Sequence, residues 1–178
     1  GMLVGANKEF IMAPQIDNLE CSFACIESLI NSSNDKSVNV CALFDAEEIG
    51  SRTRSGAAST MLEQVLSRVA SNLGLTTEDY NVALANSFIV SADNAQGYHP
   101  NYPSKFDPTN ASHMNKGIVI KNAARGSYST DGLTLAYFKS ICDEVGAKVQ
   151  LNTNRSDVPG GSTLGCISLG QVSIPSVD

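Results

Sequence analysis

The stretch VNVCALFDAEE, residues 38–48, is the main indication of both the fold and the position of a functional site. Its first seven residues are mostly apolar and do not alternate with polar ones, which predicts a strand buried on both faces of a largely parallel sheet. Acidic residues follow this run at positions 45, 47 and 48. Because ligands of open α/β sheets bind beyond the carboxyl ends of the strands, these residues are the first candidates for a functional site.

Helices and further strands are predicted on both sides of this stretch. Apolar residues recur at helical spacing over residues 19–30 and 61–73, and a third helix is predicted over residues 133–145, opened by Asp131 and closed by Gly146. Three short runs predict strands: SFIVSA (87–92), GIVIK (117–121) and KVQLN (148–152). The alternation predicts an α/β fold, a three-layer α/β/α sandwich with a mostly parallel sheet, in one domain of 178 residues.

Charge and composition narrow the class of protein. The net charge of −6, without a Lys/Arg cluster, argues against a nucleic-acid or anionic membrane surface and favours a small or peptidic ligand. No apolar run approaches the ~20 residues of a membrane span, and no signal peptide follows Met2, so we expect a cytoplasmic protein. The five cysteines are an odd number at irregular spacing, which predicts buried free thiols.

Carboxylates follow several of the apolar runs. Asp17 comes after FIMAPQI (10–16) and Asp93 after SFIVSA, and each alone is also explained as a helix cap or turn residue. Glu47 and Glu48 are harder to explain in this way, because adjacent carboxylates at a strand end repel each other unless a cation lies nearby. Such oxygen ligands suit zinc, manganese or cobalt, and two ions of this kind support hydrolysis.

Residues 97–115 form a long segment rich in Pro, Asn and Ser, without periodicity, of the kind that carries function. His99, one of only two histidines, lies in it. A single loop histidine is also explained as an ordinary surface residue. We expect the other histidine, His113, to be exposed to solvent.

Several motifs occur together at consistent spacing: APQIDNL, LFDAEEIGSRTRSGA, VSADNAQGYHPNYPSKFDP, NKGIVIK, YSTDG and NRSDVPGGSTLG. In this order they resemble the aspartyl aminopeptidase family, which includes enzymes of the vacuolar aminopeptidase I type. The resemblance covers residues 10–178. It implies a zinc-exopeptidase-like α/β/α catalytic domain that releases N-terminal residues, acidic ones among them, from peptides.

The resemblance also implies a role for each candidate residue. Asp17 would bridge two divalent metal ions, zinc or alternatively manganese or cobalt, with Glu48 and Asp93 each binding one of them. Glu47 would be the general base that takes a proton from the attacking water. His99 would donate a hydrogen bond to the developing oxyanion, in its own or a neighbouring subunit.

The same resemblance places the substrate-binding walls in two segments. Lys116 would contact an acidic side chain of the peptide, although a solvated surface lysine is an alternative. In the Gly-rich segment, Gly161, Ser162 and Thr163 would let backbone amides approach the peptide. Asp157 is interpreted as a structural turn residue ahead of this segment.

The chain departs from the family pattern. Family members carry one metal-binding histidine upstream of this segment, before an inserted dimerisation domain, and another downstream of it; neither is present in residues 1–178. Many members also have a histidine where this chain has Gln96, which puts any role of that position in doubt. We therefore expect residues 1–178 to be a partial catalytic domain, poor in metal and impaired as a peptidase.

Other functions stay open. The chain is also explained as a non-catalytic truncated or split subunit that keeps the fold, or as a deacylase or amidase, because these share the same hydrolytic chemistry. Family members assemble as dimers that build larger shells, so we expect a homo-oligomer. Without the inserted domain, exposed apolar surface should drive association.

Overall fold

The computed structural model describes residues 1–158 and 160–178. The chain divides into two compact units. Unit 1 contains residues 1–43 and 92–94, and unit 2 contains residues 44–91 and 95–178. Within the described ranges, no helix has the length and apolarity that a membrane crossing requires.

Unit 1 consists of a short antiparallel hairpin and one long helix. Strands β1 (Met2–Val4) and β2 (Phe10–Met12) pair with Met2 opposite Met12, and helix α1 spans Ile16–Asn31. The helix predicted over residues 19–30 is confirmed. Its apolar face is not buried: the four residues of this face, Leu19, Phe23, Ile26 and Ile30, are 61%, 66%, 40% and 70% exposed. We call these four residues the α1 stripe.

The strand predicted over residues 38–44 is wrong. The segment has no strand partner among the described residues, and Val38, Val40 and Leu43 are 65%, 53% and 49% exposed. A strand needs a neighbouring chain segment to accept and donate its backbone hydrogen bonds. Apolar composition alone does not say whether such a neighbour is present.

Unit 2 contains two pairs of parallel strands. Strand β3 (Ile89–Val90) pairs with β6 (Ser176–Val177), and β4 (Ile118–Asn122) pairs with β5 (Val149–Thr153). The backbone N–H of Lys121 donates to the carbonyl of Asp178 at 2.8 Å, which joins β4 to β6 near their carboxyl ends. The four strands therefore present their carboxyl ends at one edge, which we call the carboxyl edge. The predicted α/β class with parallel strands is confirmed.

Four helices accompany these strands: α2 (Met61–Asn72), α3 (Thr77–Ala85), α4 (Gly132–Glu144) and α5 (Leu164–Ser168). Helices α2 and α4 match the predicted ones. Helix α3 was not predicted, although its capping box between Thr76 and Asp79 is visible in the sequence as T-x-x-D. Thr76 donates hydrogen bonds to the carboxylate of Asp79, and these bonds hold the pKa of Asp79 below its ordinary value.

The cysteines only partly follow the prediction. All five are free thiols, as expected. Cys142 on α4 is buried, and burial raises the pKa of its thiol, whereas the other four are partly exposed. Cys142 belongs to the core of unit 2, together with Ile120, Val172 and Val177.

The start of α4 is fixed by Asp131. Its carboxylate accepts hydrogen bonds from the backbone N–H groups of Thr134 and Leu133, both at 2.8 Å, and these bonds hold the pKa of Asp131 below its ordinary value. A carboxylate whose pKa is lowered by folding stabilises the folded state above its unfolded pKa, and this stabilisation is lost as the pH falls through the folded value. The helix end is equally well defined, because Gly146 follows it at φ 71°.

We expect Asp131→Ala to lower the free energy of unfolding at neutral pH by about 1 kcal/mol, because two N–H groups of the first turn lose their acceptor. Urea titration followed by far-UV circular dichroism measures this change. The deficit should shrink as the pH falls below the ordinary aspartate pKa of about 3.9 and through the lower pKa of the folded Asp131. Asp35→Ala, an exposed aspartate outside the helices, is the control. An equal loss in both variants would contradict the cap.

Candidate metal and substrate site

Two of the candidate carboxylates, Asp17 and Asp93, belong to unit 1. Asp17 lies in the first turn of α1, and Asp93 lies in segment 92–94. The side-chain amide of Asn18 donates to the carbonyl of Ala92 at 2.9 Å, so the residues next to the two carboxylates in sequence are in direct contact. The N-cap position of α1 is Gln15 rather than Asp17, and the backbone of Asp17 departs from helical geometry at ψ 110°. The interpretation of Asp17 as a helix cap is therefore not supported.

Two further hydrogen bonds fasten segment 92–94 to α1. The thiol of Cys21 donates to Oδ1 of Asn94 at 3.5 Å, and the amide of Asn94 donates to Oε2 of Glu20 at 3.2 Å. These contacts join residues more than seventy positions apart. They hold the two carboxylate-bearing segments of unit 1 side by side.

Glu47 and Glu48 lie in unit 2, on a single turn of 3-10 helix, Glu47–Ile49. The turn is bounded by Ala46 at φ 62° and Gly50 at φ 97°, and the N–H of Gly50 donates to the carbonyl of Glu47 at 2.9 Å. Asp45 stabilises the entry, because its Oδ1 accepts the N–H of Ala46 at 2.7 Å. Both glutamates are exposed on this tight turn.

The donor chemistry of these positions fits a divalent metal. Asp17 and Asp93 in unit 1, and Glu47 and Glu48 in unit 2, offer carboxylate oxygens of the kind that zinc, manganese and cobalt accept. Among residues 1–158 and 160–178, no group of three or more His, Cys, Asp or Glu side chains is placed so that it could hold a metal ion. The assignment of Asp17, Glu48 and Asp93 as metal ligands stays a prediction.

His99 is exposed, and its ring accepts a local hydrogen bond. The backbone N–H of Asn101 donates to Nδ1 of His99 at 3.2 Å. In a neutral imidazole that accepts at Nδ1, the proton is on Nε2, so Nε2 is left as the donor. The ring of Tyr102 lies 5.0 Å from the His99 ring.

The segment around His99 is irregular except for one 3-10 turn, Pro103–Lys105, as predicted for residues 97–115. It is anchored through Tyr98, whose N–H donates to the carbonyl of Ser112 at 2.7 Å and whose ring lies 5.3 Å from that of the buried Phe106. His113 is exposed, as predicted. Gln96 is also exposed.

The Gly-rich segment reaches the carboxyl edge through α5. The N–H of Gly165 donates to Oγ of Ser91, just beyond β3, at 2.9 Å. A Cβ on Gly165 would lie 2.7 Å from the Ser91 side chain and 2.8 Å from Oδ1 of Asp178, so only glycine fits there. Thr163 is buried, and its hydroxyl has no hydrogen-bond partner in the described part of the chain.

Gly161 and Ser162, by contrast, are exposed at the tip of this segment. Of the three residues predicted to bind substrate here, Thr163 is the one that is buried. A buried hydroxyl without a partner is costly unless a ligand or water satisfies it, and the substrate-binding role of Thr163 stays a prediction.

Lys116 lies away from the carboxyl edge. It precedes β4, at the amino end of the strand, and is exposed. With Lys139 and Lys148 it lines an open pocket of about 480 Å³. Its predicted contact with substrate stays a prediction.

Sequence reasoning missed a different lysine, Lys121. It is only 6% exposed and lies in the last two residues of β4, at the carboxyl edge, with Nζ 5.9 Å from the centre of the Tyr128 ring. Lysines are almost never buried without a specific reason. The signal was present in the sequence, because GIVIK places a lysine at the end of an apolar strand.

The chain matches known proteins along its whole length. A family profile described as aminopeptidase I zinc metalloprotease (M18) covers residues 1–178. A probable M18 family aminopeptidase 2 from Clostridium novyi is 44% identical over 178 residues, which is all of this chain and 41% of the relative. The chain thus spans about two fifths of the length of the curated relatives it matches.

Solved structures of related proteins also resemble this chain. The cryo-EM structure of the Ape4 and Nbr1 complex contains a chain that matches with a TM-score of 0.88 and 34% identity, over 99% of this chain and 34% of that one. The S. cerevisiae mApe1 dodecamer matches with a TM-score of 0.80 and 31% identity, over 99% and 40%. These findings confirm the resemblance drawn from the motifs: the chain belongs to the M18 family of zinc metallo-aminopeptidases.

Proposed function

We propose that residues 1–178 form part of the catalytic domain of a cytoplasmic zinc aminopeptidase that releases N-terminal residues, acidic ones among them, from peptides. The main observation behind the proposal is that three hydrogen bonds in unit 1 join α1 to segment 92–94. They hold the two segments that contain Asp17 and Asp93 side by side. The family match over the full chain supports it.

In this proposal Asp17, Glu48 and Asp93 hold two divalent ions, with zinc as the preferred metal. When bound, the ions supply a Lewis acid that polarises the scissile carbonyl. Glu47 accepts a proton from the attacking water. Nε2 of His99 donates a hydrogen bond to the developing oxyanion, a contribution of about 3 kcal/mol to the barrier in comparable sites.

The proposed ligands within the chain are all carboxylates. Oxygen ligands alone favour harder and looser coordination than zinc prefers in sites with imidazole. We therefore expect the isolated chain to bind zinc weakly and to show little or no turnover.

A chimaera tests the proposed function. In it, the matching segment of the Clostridium novyi relative is replaced by residues 1–178 of this chain, which align with it over their full length. The chimaera should bind two zinc ions and release N-terminal aspartate or glutamate from a peptide, whereas the isolated chain in excess zinc should not. A well-folded, zinc-loaded chimaera without peptidase activity would contradict the proposal. Robust turnover by the isolated chain would contradict the expectation that the isolated chain binds zinc weakly.

The proposal includes self-association. A solved relative forms a dodecamer, and the α1 stripe leaves four large apolar side chains exposed in unit 1. Fully burying a wholly exposed side chain of this kind contributes about 1.5–3 kcal/mol, and the four residues of the α1 stripe are 40–70% exposed, so a shared stripe supports association.

We expect the isolated chain to elute above its monomer mass of 18.8 kDa in size-exclusion chromatography with light scattering. The double variant Phe23→Ser and Ile30→Ser should shift it towards the monomer, because it removes the two most exposed residues of the α1 stripe. Leu133→Ser, an apolar residue 77% exposed at the start of α4, is the matched control and should leave the mass unchanged. A monodisperse wild-type monomer would refute self-association.

A further inference from the structure

Arg155 lies two residues after β5 and contacts two separate segments of unit 2. Its Nε donates to Oδ1 of Asp157 at 2.9 Å, and its Nη2 donates to Oδ2 of the same carboxylate at 2.5 Å. Its Nη1 donates to the backbone carbonyl of Ser104, fifty-one positions away in sequence. The guanidinium thus joins the segment before the Gly-rich turn to the segment that carries His99.

The contact with Ser104 leads directly to His99. Ser104 is the middle residue of the 3-10 turn Pro103–Lys105, and the N–H of Lys105 donates to the carbonyl of Tyr102 at 3.0 Å. The N–H of Tyr102 in turn donates to the carbonyl of His99 at 2.9 Å, and the two rings are 5.0 Å apart. An unbroken series of contacts therefore connects the guanidinium with the imidazole.

Asp157, which the sequence predicted to be a structural turn residue, is the second partner of the Arg155 guanidinium, besides Ser104. It precedes the Gly-rich segment that contains Thr163. The hydrogen bond from Arg155 holds the pKa of Asp157 below its ordinary value. Asp107, in the His99 segment, adds a second negative charge that acts on the same guanidinium.

An exposed ion pair alone contributes little to stability, because solvent screens it. Arg155 differs from such a pair, because its planar group donates in parallel to one carboxylate and uses a remaining N–H for a carbonyl on another segment. Lys139 and Asp143 on α4 provide the contrast: they form an exposed pair at 2.5 Å within one helix and hold no second segment.

We propose that Arg155 is a positioning residue, which holds the His99 segment against the segment leading into the Gly-rich turn so that the imidazole is presented in a fixed orientation. Its importance for catalysis rests on the proposed function, whereas its effect on the orientation of His99 does not. Arg155 itself is not a catalytic residue in this proposal.

The side-chain NMR signals of His99 and His113 test the orientation directly, because these are the only two histidines in the chain. In Arg155→Ala, the His99 ring signals should lose the shift caused by the nearby Tyr102 ring. The His113 signals should change much less, because the backbone N–H of His113 is fixed to Gln150 on β5 at 2.9 Å. Arg155→Lys should give a partial loss, because a lysine keeps the charge without the parallel donors. Asp157→Asn should also give a partial loss, because Arg155 then has a weaker partner.

Lys139→Ala, which breaks the exposed ion pair with Asp143 on α4, is the matched control and should shift the signals of neither histidine. Unchanged His99 signals in a folded Arg155→Ala variant would overturn the proposal. Equal changes at His99 and His113 would also overturn it, because they would show a general loosening of the segment. Asp157→Asn decides the question if the alanine variant does not fold.

In the chimaera, Arg155→Ala should lower kcat by about ten- to a hundredfold with the zinc content unchanged, as expected when a catalytic group is misplaced by about 1 Å. An unchanged kcat would overturn the catalytic importance of Arg155. If the chimaera itself is inactive, the proposed function fails, and the NMR result still decides whether Arg155 orients His99.

Discussion

Replacing Glu47 with glutamine in the chimaera is expected to lower kcat by about a hundred- to ten-thousandfold, because the attacking water loses its general base. Glutamine has nearly the same shape as glutamate, and Glu47 is exposed on its 3-10 turn, so the fold should be kept. Zinc content should also be kept, because Glu47 is not a proposed ligand. Steady-state kinetics and metal analysis of the same preparation measure both quantities.

Glu48→Gln is the matched comparison, one residue away on the same turn. This substitution should lower the zinc content as well as the activity, because a neutral amide is a much poorer zinc ligand than a carboxylate. The two neighbours thus separate a proton-transfer role from a ligand role. A Glu47→Gln variant that loses zinc, together with a Glu48→Gln variant that keeps it, would show that the two roles are exchanged.

Local sequence patterns predicted the helices well and the strands less evenly. Helix α4 was placed within a residue or so at each end because Asp131 and Gly146 act on their immediate neighbours. The strand predicted over residues 38–44 failed because strand pairing depends on a distant segment. Helix α3 was missed because its apolar residues do not follow the helical period clearly, although its capping box was readable.

The same distinction applies to the candidate site. The carboxylates Asp17, Glu47, Glu48 and Asp93 were chosen as candidates because motifs and the ends of predicted strands mark them in the sequence. The contacts that organise the surrounding segments were not found: Arg155 reaches Ser104 across 51 positions, and Asn18 reaches Ala92 across 74. Neither partner can be read from a local pattern, because each contact depends on how the chain returns to itself.

The burial of Lys121 likewise became visible only in the folded chain, and it changes which lysine is the better candidate for an acidic substrate side chain. Lys121 is buried at the carboxyl edge, where ligands of such sheets bind, whereas Lys116 is exposed at the amino end of the same strand. A buried cation attracts a carboxylate more strongly than an exposed one, because less water screens the interaction.

We therefore expect Lys121→Met in the chimaera to lower kcat/KM for peptides with N-terminal aspartate by about thirty- to several-thousandfold. This corresponds to a loss of about 2–5 kcal/mol of transition-state stabilisation. Peptides with N-terminal alanine should be affected much less, because they lack the carboxylate. Lys116→Met removes the same charge five residues away and serves as the matched control, with a change of less than about threefold, typical of an exposed charge. A larger loss of aspartate selectivity in Lys116→Met than in Lys121→Met would restore the sequence-based assignment and reject Lys121 as the determinant of acidic substrates.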